Sequence, residues 1–274
     1  MTHLYGSKAE PKYLFGEDTP ELAAFYVGVE QVCPLANELL GDLIHCWQPY
    51  AEVHEWVLPD NFHARVKTID TVECRIEVDE MDHATFEYAF KVVCGKEHDV
   101  KLAANVIHSI DAYVLRTMQR RSKYDWVILQ AAKEILTEEL AFRGDGDALE
   151  AHDEIAVYKD LYERTNMVDA VIFPWINSHS VECLETDHIE ALIRLADSML
   201  KHKPFDLITV HDEFKCHPNY CNDMRQHYID IFAEMADSNI LNDIVKQITG
   251  STVSYKNTFH GLSALIRESE YSLS

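Results

Sequence analysis

The stretch 207-LITVHDEFKCHPNY-220 decides the fold. Leu207, Ile208, Thr209 and Val210 are β-prone and run into His211-Asp212-Glu213-Phe214, after which Pro218-Asn219 opens a helical pattern. The segment reads as a short hairpin followed by a helix, with the Asp212 carboxylate at the turn tip. There it stays solvated and ionised, poised to hold a divalent cation, while Leu207, Ile208 and Val210 anchor the hairpin below it. A plain turn is the other reading, because aspartate also serves turns through local hydrogen bonds.

On either side of this segment the apolar spacing is mostly helical. Downstream, Met224, Tyr228, Ile231, Phe232 and Met235 form a stripe that would pack behind the hairpin. Upstream, Ile189, Leu192, Ile193, Leu195, Ala196 and Met199 make a helix leading to Pro204. Trp126 to Phe142 reads as another, closed by a flexible turn at Gly144-Asp145-Gly146-Asp147 that lacks the ligand spacing of a calcium loop. Lys101 to Arg121 carries Val106, Ile110, Tyr113, Val114 and Met118 on one stripe, with His108 and Asp111 sharing a helix face. Between Glu52 and Val78 the pattern alternates, Val72, Cys74, Ile76 and Val78 against Glu73, Arg75 and Glu77, as in a strand or hairpin with one wet face. From Glu21 to Trp47 helical spacing returns, interrupted at Pro34, with Thr19-Pro20 as cap and first residue. The expected class is α/β in the α+β sense, mostly helical.

Composition narrows the function. The chain has 274 residues, 47% of them hydrophobic, enough for a sizeable core. No apolar run approaches the roughly 20 residues that cross a bilayer, and seven cysteines without a CxxC pair suit a reducing compartment, so a soluble intracellular protein with no membrane partner is expected. The net charge of −23 argues against gripping nucleic acid over a broad surface. A local basic strip at Arg116, Arg120, Arg121 and Lys123 could serve instead, or these four could be a solvated helix end.

Three segments in order, Tyr5-Gly6-Ser7-Lys8, 103-AANVIHSIDAYVLR-116 and the hairpin stretch, together resemble the C-terminal part of the single-subunit RNA polymerases of bacteriophages and mitochondria. The first is similar to the end of that family's motif B helix in the fingers, the second to a palm helix that touches the primer-template minor groove, and the third to motif C. Smaller echoes are Trp56-Val57-Leu58-Pro59-Asp60-Asn61-Phe62, similar to an aromatic-x-x-Pro-Asp-Gly-Phe segment, and the tail Glu268 to Ser274. Tyr124 to Lys203 matches nothing in the family. The resemblance implies a polymerase palm with part of the fingers and motif C on a β-hairpin. The implied division is 1–55, the end of motif B and fingers helices; 56–123, a palm portion with the His108 helix; 124–203, a mainly helical insertion; and 204–274, motif C with its following helix and tail.

The chemistry so implied is ribonucleotide transfer to an RNA 3′ end on a DNA template. Two Mg2+ ions stabilise the attacking and leaving oxygens and need shared carboxylates. The resemblance assigns Asp212 to the metals, and Tyr5 and Gly6 to the base of the nucleotide pocket, where the Tyr5 ring stacks and its hydroxyl senses the ribose. His108 would donate to the minor groove or the incoming sugar, with Asp111 orienting it, and His211 would support the turn. For His108 the alternative is a satisfied core histidine; for Tyr5, a capping aromatic before Gly6. The companion aspartate belongs to motif A, which precedes motif B in the family, and the motif B lysine should lie about two helical turns before Tyr5. Only four residues precede Tyr5 here. The expected protein is therefore the C-terminal half of a split, heterodimeric phage polymerase in the cytoplasm of an infected bacterium. A partner subunit would supply the N-terminal region, motif A and the start of motif B, and the pair would bind DNA template, RNA product and ribonucleoside triphosphates.

Glu213 makes a His-Asp-Glu triplet, the pattern of the related bacterial repair-type DNA polymerases, whereas Ile107 to Asp111 favours the RNA enzymes. A fragment of such a DNA polymerase is one alternative. Another is zinc binding through Cys216, His217, Cys221 and His227, and a third is a non-catalytic acidic interaction protein.

Overall fold

The computed structural model describes residues 9–93, 100–143, 148–151, 153–210, 213–252, 255 and 261–269. The chain forms two compact units, one of residues 1–56 and 64–108, the other of residues 57–63 and 109–274. It is mostly helical with small two-stranded sheets, an α+β arrangement.

The first unit opens with α1 (Ala9–Phe15). The Thr19 hydroxyl then accepts the Leu22 N–H at 3.2 Å, and Pro20, with no N–H to leave unsatisfied, starts α2 (Pro20–Val32). Pro34 cannot continue that helix, so it starts a new one, α3 (Pro34–His45). The paired strands β1 (Val53–Val57) and β2 (His63–Lys67) follow. The side chains of His54 and Trp56 alternate inward along β1, and the His54 ring stacks on Trp47 at 4.9 Å. Next come β3 (Ile69–Val78) and β4 (Ala84–Val93), antiparallel, with Val72 opposite Phe90 and Ile76 opposite Phe86. The alternation in β3 is as the sequence suggests, but its apolar face is exposed along most of its length and not set on a core.

The helix α4 (Lys101–Ser122) runs from the first unit into the second, with Val106, Tyr113, Val114 and Met118 buried. In the second unit Asp125 caps α5 (Trp126–Phe142), its carboxylate accepting the Val127 N–H at 2.8 Å and the Ile128 N–H at 3.1 Å. After it come α6 (Asp153–Thr165), a 3₁₀ turn at 170–175 and α7 (Thr186–Met199). Leu129 and Leu136 of α5, Ile172 and Phe173 of the turn, and Ile189, Leu192 and Leu195 of α7 fill one core. Each fully buried large apolar side chain there contributes roughly 1.5–3 kcal/mol, and the stretch from Leu129 to Met199 thus carries a hydrophobic core of its own.

Two short strands, β5 (Ile208–Val210) and β6 (Glu213–Lys215), pair antiparallel with Val210 opposite Glu213. They lead to α8 (Cys221–Ala236), α9 (Ile240–Thr249) and α10 (Leu262–Glu268). Gly250 ends α9 in the left-handed region at φ +69°, which glycine enters without strain. Among the described residues no helix is long and apolar enough to cross a membrane. The expected turn at Gly144 to Asp147 lies outside the described residues, as does the tail from Glu270 to Ser274.

Candidate functional site

The site builds up from the 109–122 part of α4, which has two packed faces within the second unit. Val114 and Met118 on one face share a core with Ile231 of α8, and Leu207, Phe214, Met224, Tyr228, Phe232 and Met235 close around them. The β5–β6 hairpin thereby rests on α4 and α8 together, with the Phe214 and Tyr228 rings 5.7 Å apart. Its two legs are joined below the strands, because Phe205 stacks on Tyr220 at 4.6 Å and the Phe205 N–H donates to the Ser122 carbonyl at 2.8 Å. The anchoring differs from the sequence expectation. Leu207 does face the core, but Ile208 and Val210 are 63% and 47% exposed, and the inward residue between the strands is Phe214. With three-residue strands, the pleat turns Ile208 and Val210 to the same outer side and leaves the opposite side to Thr209 and Phe214.

The other face of α4 carries Arg116, Gln119, Arg120 and Lys123, which with Asp206 and Leu207 line a cleft of about 510 Å³ beside the root of the hairpin. Behind it lies a network of buried charges. Asp60, in the tip between β1 and β2, takes a bidentate contact from Arg116 at 2.6 and 3.1 Å and a third bond from Arg120 at 2.9 Å. Asp169 accepts from Arg120 at 2.9 Å, from the Thr117 hydroxyl at 2.7 Å and from the Val171 N–H at 3.0 Å. Burial works against ionisation of Asp169, yet Arg120 and these donors prevail and hold its carboxyl below the usual range. Arg116 also lies over the Phe62 ring, 4.1 Å from its centroid.

In the tip that delivers Asp60, the Asn61 backbone is left-handed at φ +58°. Asparagine is one of the few side chains that accept this region readily. The Asn61 N–H closes the turn onto the Leu58 carbonyl at 2.9 Å, and Gln247 of α9 donates to the Val57 carbonyl at 3.1 Å and accepts the Val57 N–H at 2.8 Å.

The basic strip is thus corrected. Arg121 is fully buried and ion-paired with Glu234, Arg116 and Arg120 serve Asp60 and Asp169, and Lys123 meets Asp206 at 2.6 Å. The three arginines are neither an open cationic surface nor a solvated helix end, because each finds a carboxylate that is buried or half-buried, whereas Lys123 and Asp206 are a solvent-exposed pair at the helix end. Spacing and charge assign Asp60 no role and pass over Asp169, because a buried partner contributed by a distant segment leaves no periodic signal.

Of the sequence-derived site residues, Tyr5, Gly6, His211 and Asp212 lie outside the described residues. His108 and Asp111 are both exposed on α4, which removes the core-histidine alternative for His108. The zinc set does not converge. Cys216 and Cys221 approach to 3.9 Å between sulfurs, but His227 is buried and faces His202, with the two Nε2 atoms 2.5 Å apart. Burial first, and then the nearby Arg121 charge, push His227 down to about 3.

One group among the described residues does have metal-ligand spacing. Glu77, Asp79 and His83, at the closed end of β3–β4, bring their ligand atoms within 4.8 Å of one another. All three are exposed, and the imidazole nitrogen suits a transition ion better than Mg2+, which prefers an all-oxygen octahedron. This group belongs to the first unit, whereas the β5–β6 hairpin belongs to the second. Comparison with known proteins gives no matching family model and no matching curated protein.

Proposed function

We propose that the chain is the C-terminal catalytic subunit of a split phage-type DNA-directed RNA polymerase, a palm with part of the fingers that works only with a partner subunit. The observation that carries the reading is the shared core of α4, the β5–β6 hairpin and α8. The helix bearing His108 and the strands flanking His211-Asp212 are about 100 positions apart in sequence, and the motif resemblance requires them to be one structural assembly. Val210 pairs with Glu213, the residues on either side of His211-Asp212 in the sequence.

In this reading Asp212 supplies one metal-binding carboxylate, the kind of hard oxygen donor that Mg2+ takes, and the partner supplies the motif A aspartate. Two bound Mg2+ ions would neutralise charge developing on the transferred phosphoryl group. The strands on either side of His211-Asp212 are held by Leu207, Phe214 and the Phe205–Tyr220 stack. His108 and Asp111, both exposed on α4, would meet the RNA–DNA minor groove, and the resemblance gives Tyr5 and Gly6 the ribonucleotide pocket.

The test is RNA extension on a primed DNA template with Mg2+ and ribonucleotides, using the chain alone and then co-expressed with the product of the adjacent reading frame. Synthesis is expected only with the neighbour. Asp212→Asn should reduce elongation by at least a thousandfold with assembly retained; elongation near wild type would remove Asp212 from the metal site.

A further inference from the structure

We infer that the apolar face of the β3–β4 ribbon is a docking surface for the second polymerase subunit, taking an apolar strip of that subunit bordered by lysine and arginine. The inference rests on the split-polymerase reading and names where the partner binds.

The register sorts the ribbon into two unlike faces. Val72, Cys74 and Ile76 lie opposite Phe90, Tyr88 and Phe86 on one side, and Glu73, Arg75 and Glu77 lie opposite Ala89, Glu87 and Thr85 on the other. On the apolar side Val72, Ile76, Phe86, Tyr88 and Phe90 are each between 38% and 49% exposed. Tyr88 and Phe90 stack on each other at 5.8 Å. Two strands alone are marginally stable in water, and contiguous apolar surface of this kind marks an interaction site. Ten-residue strands give a face roughly 33 Å long and, with two strands about 5 Å apart, roughly 10 Å wide.

Size and charge select the occupant. A projected area of roughly 330 Å² is less than half of the roughly 800 Å² that each partner gives to a stable interface. Two ribbons meeting face to face would therefore fall short, whereas a subunit that completes the rest of the enzyme adds its own further contacts. The closed end that borders this face is acidic, with Asp79, Glu80 and Asp82 all exposed. Two copies would repel at this border, and a phosphate backbone would find few cations. A basic-rimmed protein surface meets both the apolar strip and its border.

Cys74, at the middle of the apolar face, provides a direct readout. The full chain, alone and in complex with the product of the adjacent reading frame, is treated with a maleimide and the Cys74 peptide is quantified by mass spectrometry. Labelling should slow at least tenfold in the complex. Ile76→Lys and Phe86→Lys should cut the co-purified subunit at least tenfold without moving the melting temperature of the chain alone, and Glu87→Ala on the opposite face should leave assembly intact. If the complex forms and makes RNA while Cys74 labels at its free rate, the docking surface is wrong and the polymerase reading stands. Protection of Cys74 in the chain alone that rises with concentration, or protection by duplex DNA in place of the subunit, also overturns the proposal. If no complex forms, the split-polymerase reading itself fails and the docking surface fails with it.

Discussion

The β3–β4 ribbon has ten residues in each strand and leaves its apolar face exposed, whereas the β5–β6 hairpin has three in each and sits on a shared core. The longer pair forms many more ladder hydrogen bonds, yet the shorter one is better placed to position a side chain. Ladder bonds hold two strands to each other and fix nothing about where the pair points. Packing against α4 and α8 does, because displacing the β5–β6 hairpin would open Phe214, Leu207 and Tyr228 to water. The tip between β1 and β2 belongs with the supported kind, tied down by the Asp60 carboxylate together with the fully buried Leu58.

The sharpest way to break this comparison is to remove the tie. Asp60→Ala leaves Arg116 and Arg120 facing each other without their shared carboxylate, and losing one side of a buried ion pair costs about 3–5 kcal/mol. Urea denaturation should show that loss in the midpoint, and a change under 1 kcal/mol would mean that Asp169 alone satisfies the arginines.

Phe214→Ala should cost about 2–3 kcal/mol, below the full value for a buried phenylalanine because the side chain is only partly enclosed. Phe86→Ala on the ribbon should cost less than about 0.5 kcal/mol in the isolated chain. Equal losses in thermal melts would erase the distinction between the two hairpins.

Acid should act on the same contrast. The folded state holds His227 at about 3, below its ordinary value near 6.5, so it is buried neutral and the unfolded chain takes up the proton first. The stability it contributes is fully present above pH 6.5 and is lost as pH falls from there toward 3, amounting to about 2 kcal/mol by pH 5. Hydrogen exchange between pH 6.5 and 5 should show α8 and the strands resting on it loosening, and His227→Gln should flatten that dependence.

The smallest effect concerns the tip. Asn61→Ala forces an ordinary side chain into the left-handed region and should cost about 1 kcal/mol, while Asn61→Gly should be close to neutral. Equal stabilities for the two variants would show that the tip relaxes out of this conformation.

The helices were largely legible. Thr19-Pro20, the break at Pro34 and the span of α5 follow from capping and periodicity, both local, so they need no knowledge of the partner surface. The stripe Met224 to Met235 behind the hairpin was legible for the same reason. The hairpin's anchors were only partly so. Ile208 and Val210 are as β-prone as Leu207, and only the pleat and the placement of α8 decide that Phe214 turns inward. For the candidate site, sequence order singled out His108 and Asp111, and their exposure on α4 is a tertiary fact. The arginines of α4 were misread because charge counts say nothing of distance. Asp60 and Asp169 come from segments more than 100 positions apart and meet at Arg120.

By itself, then, the sequence determined the helical spacing that becomes α2 to α5, α7 and α8 and the alternation that becomes β3, since these depend on neighbours along the chain. Tertiary structure decided which apolar faces find a cover and which charges find a partner. Those depend on surfaces brought together from distant segments, where burial makes each ion pair or ring contact worth more than it would be in water.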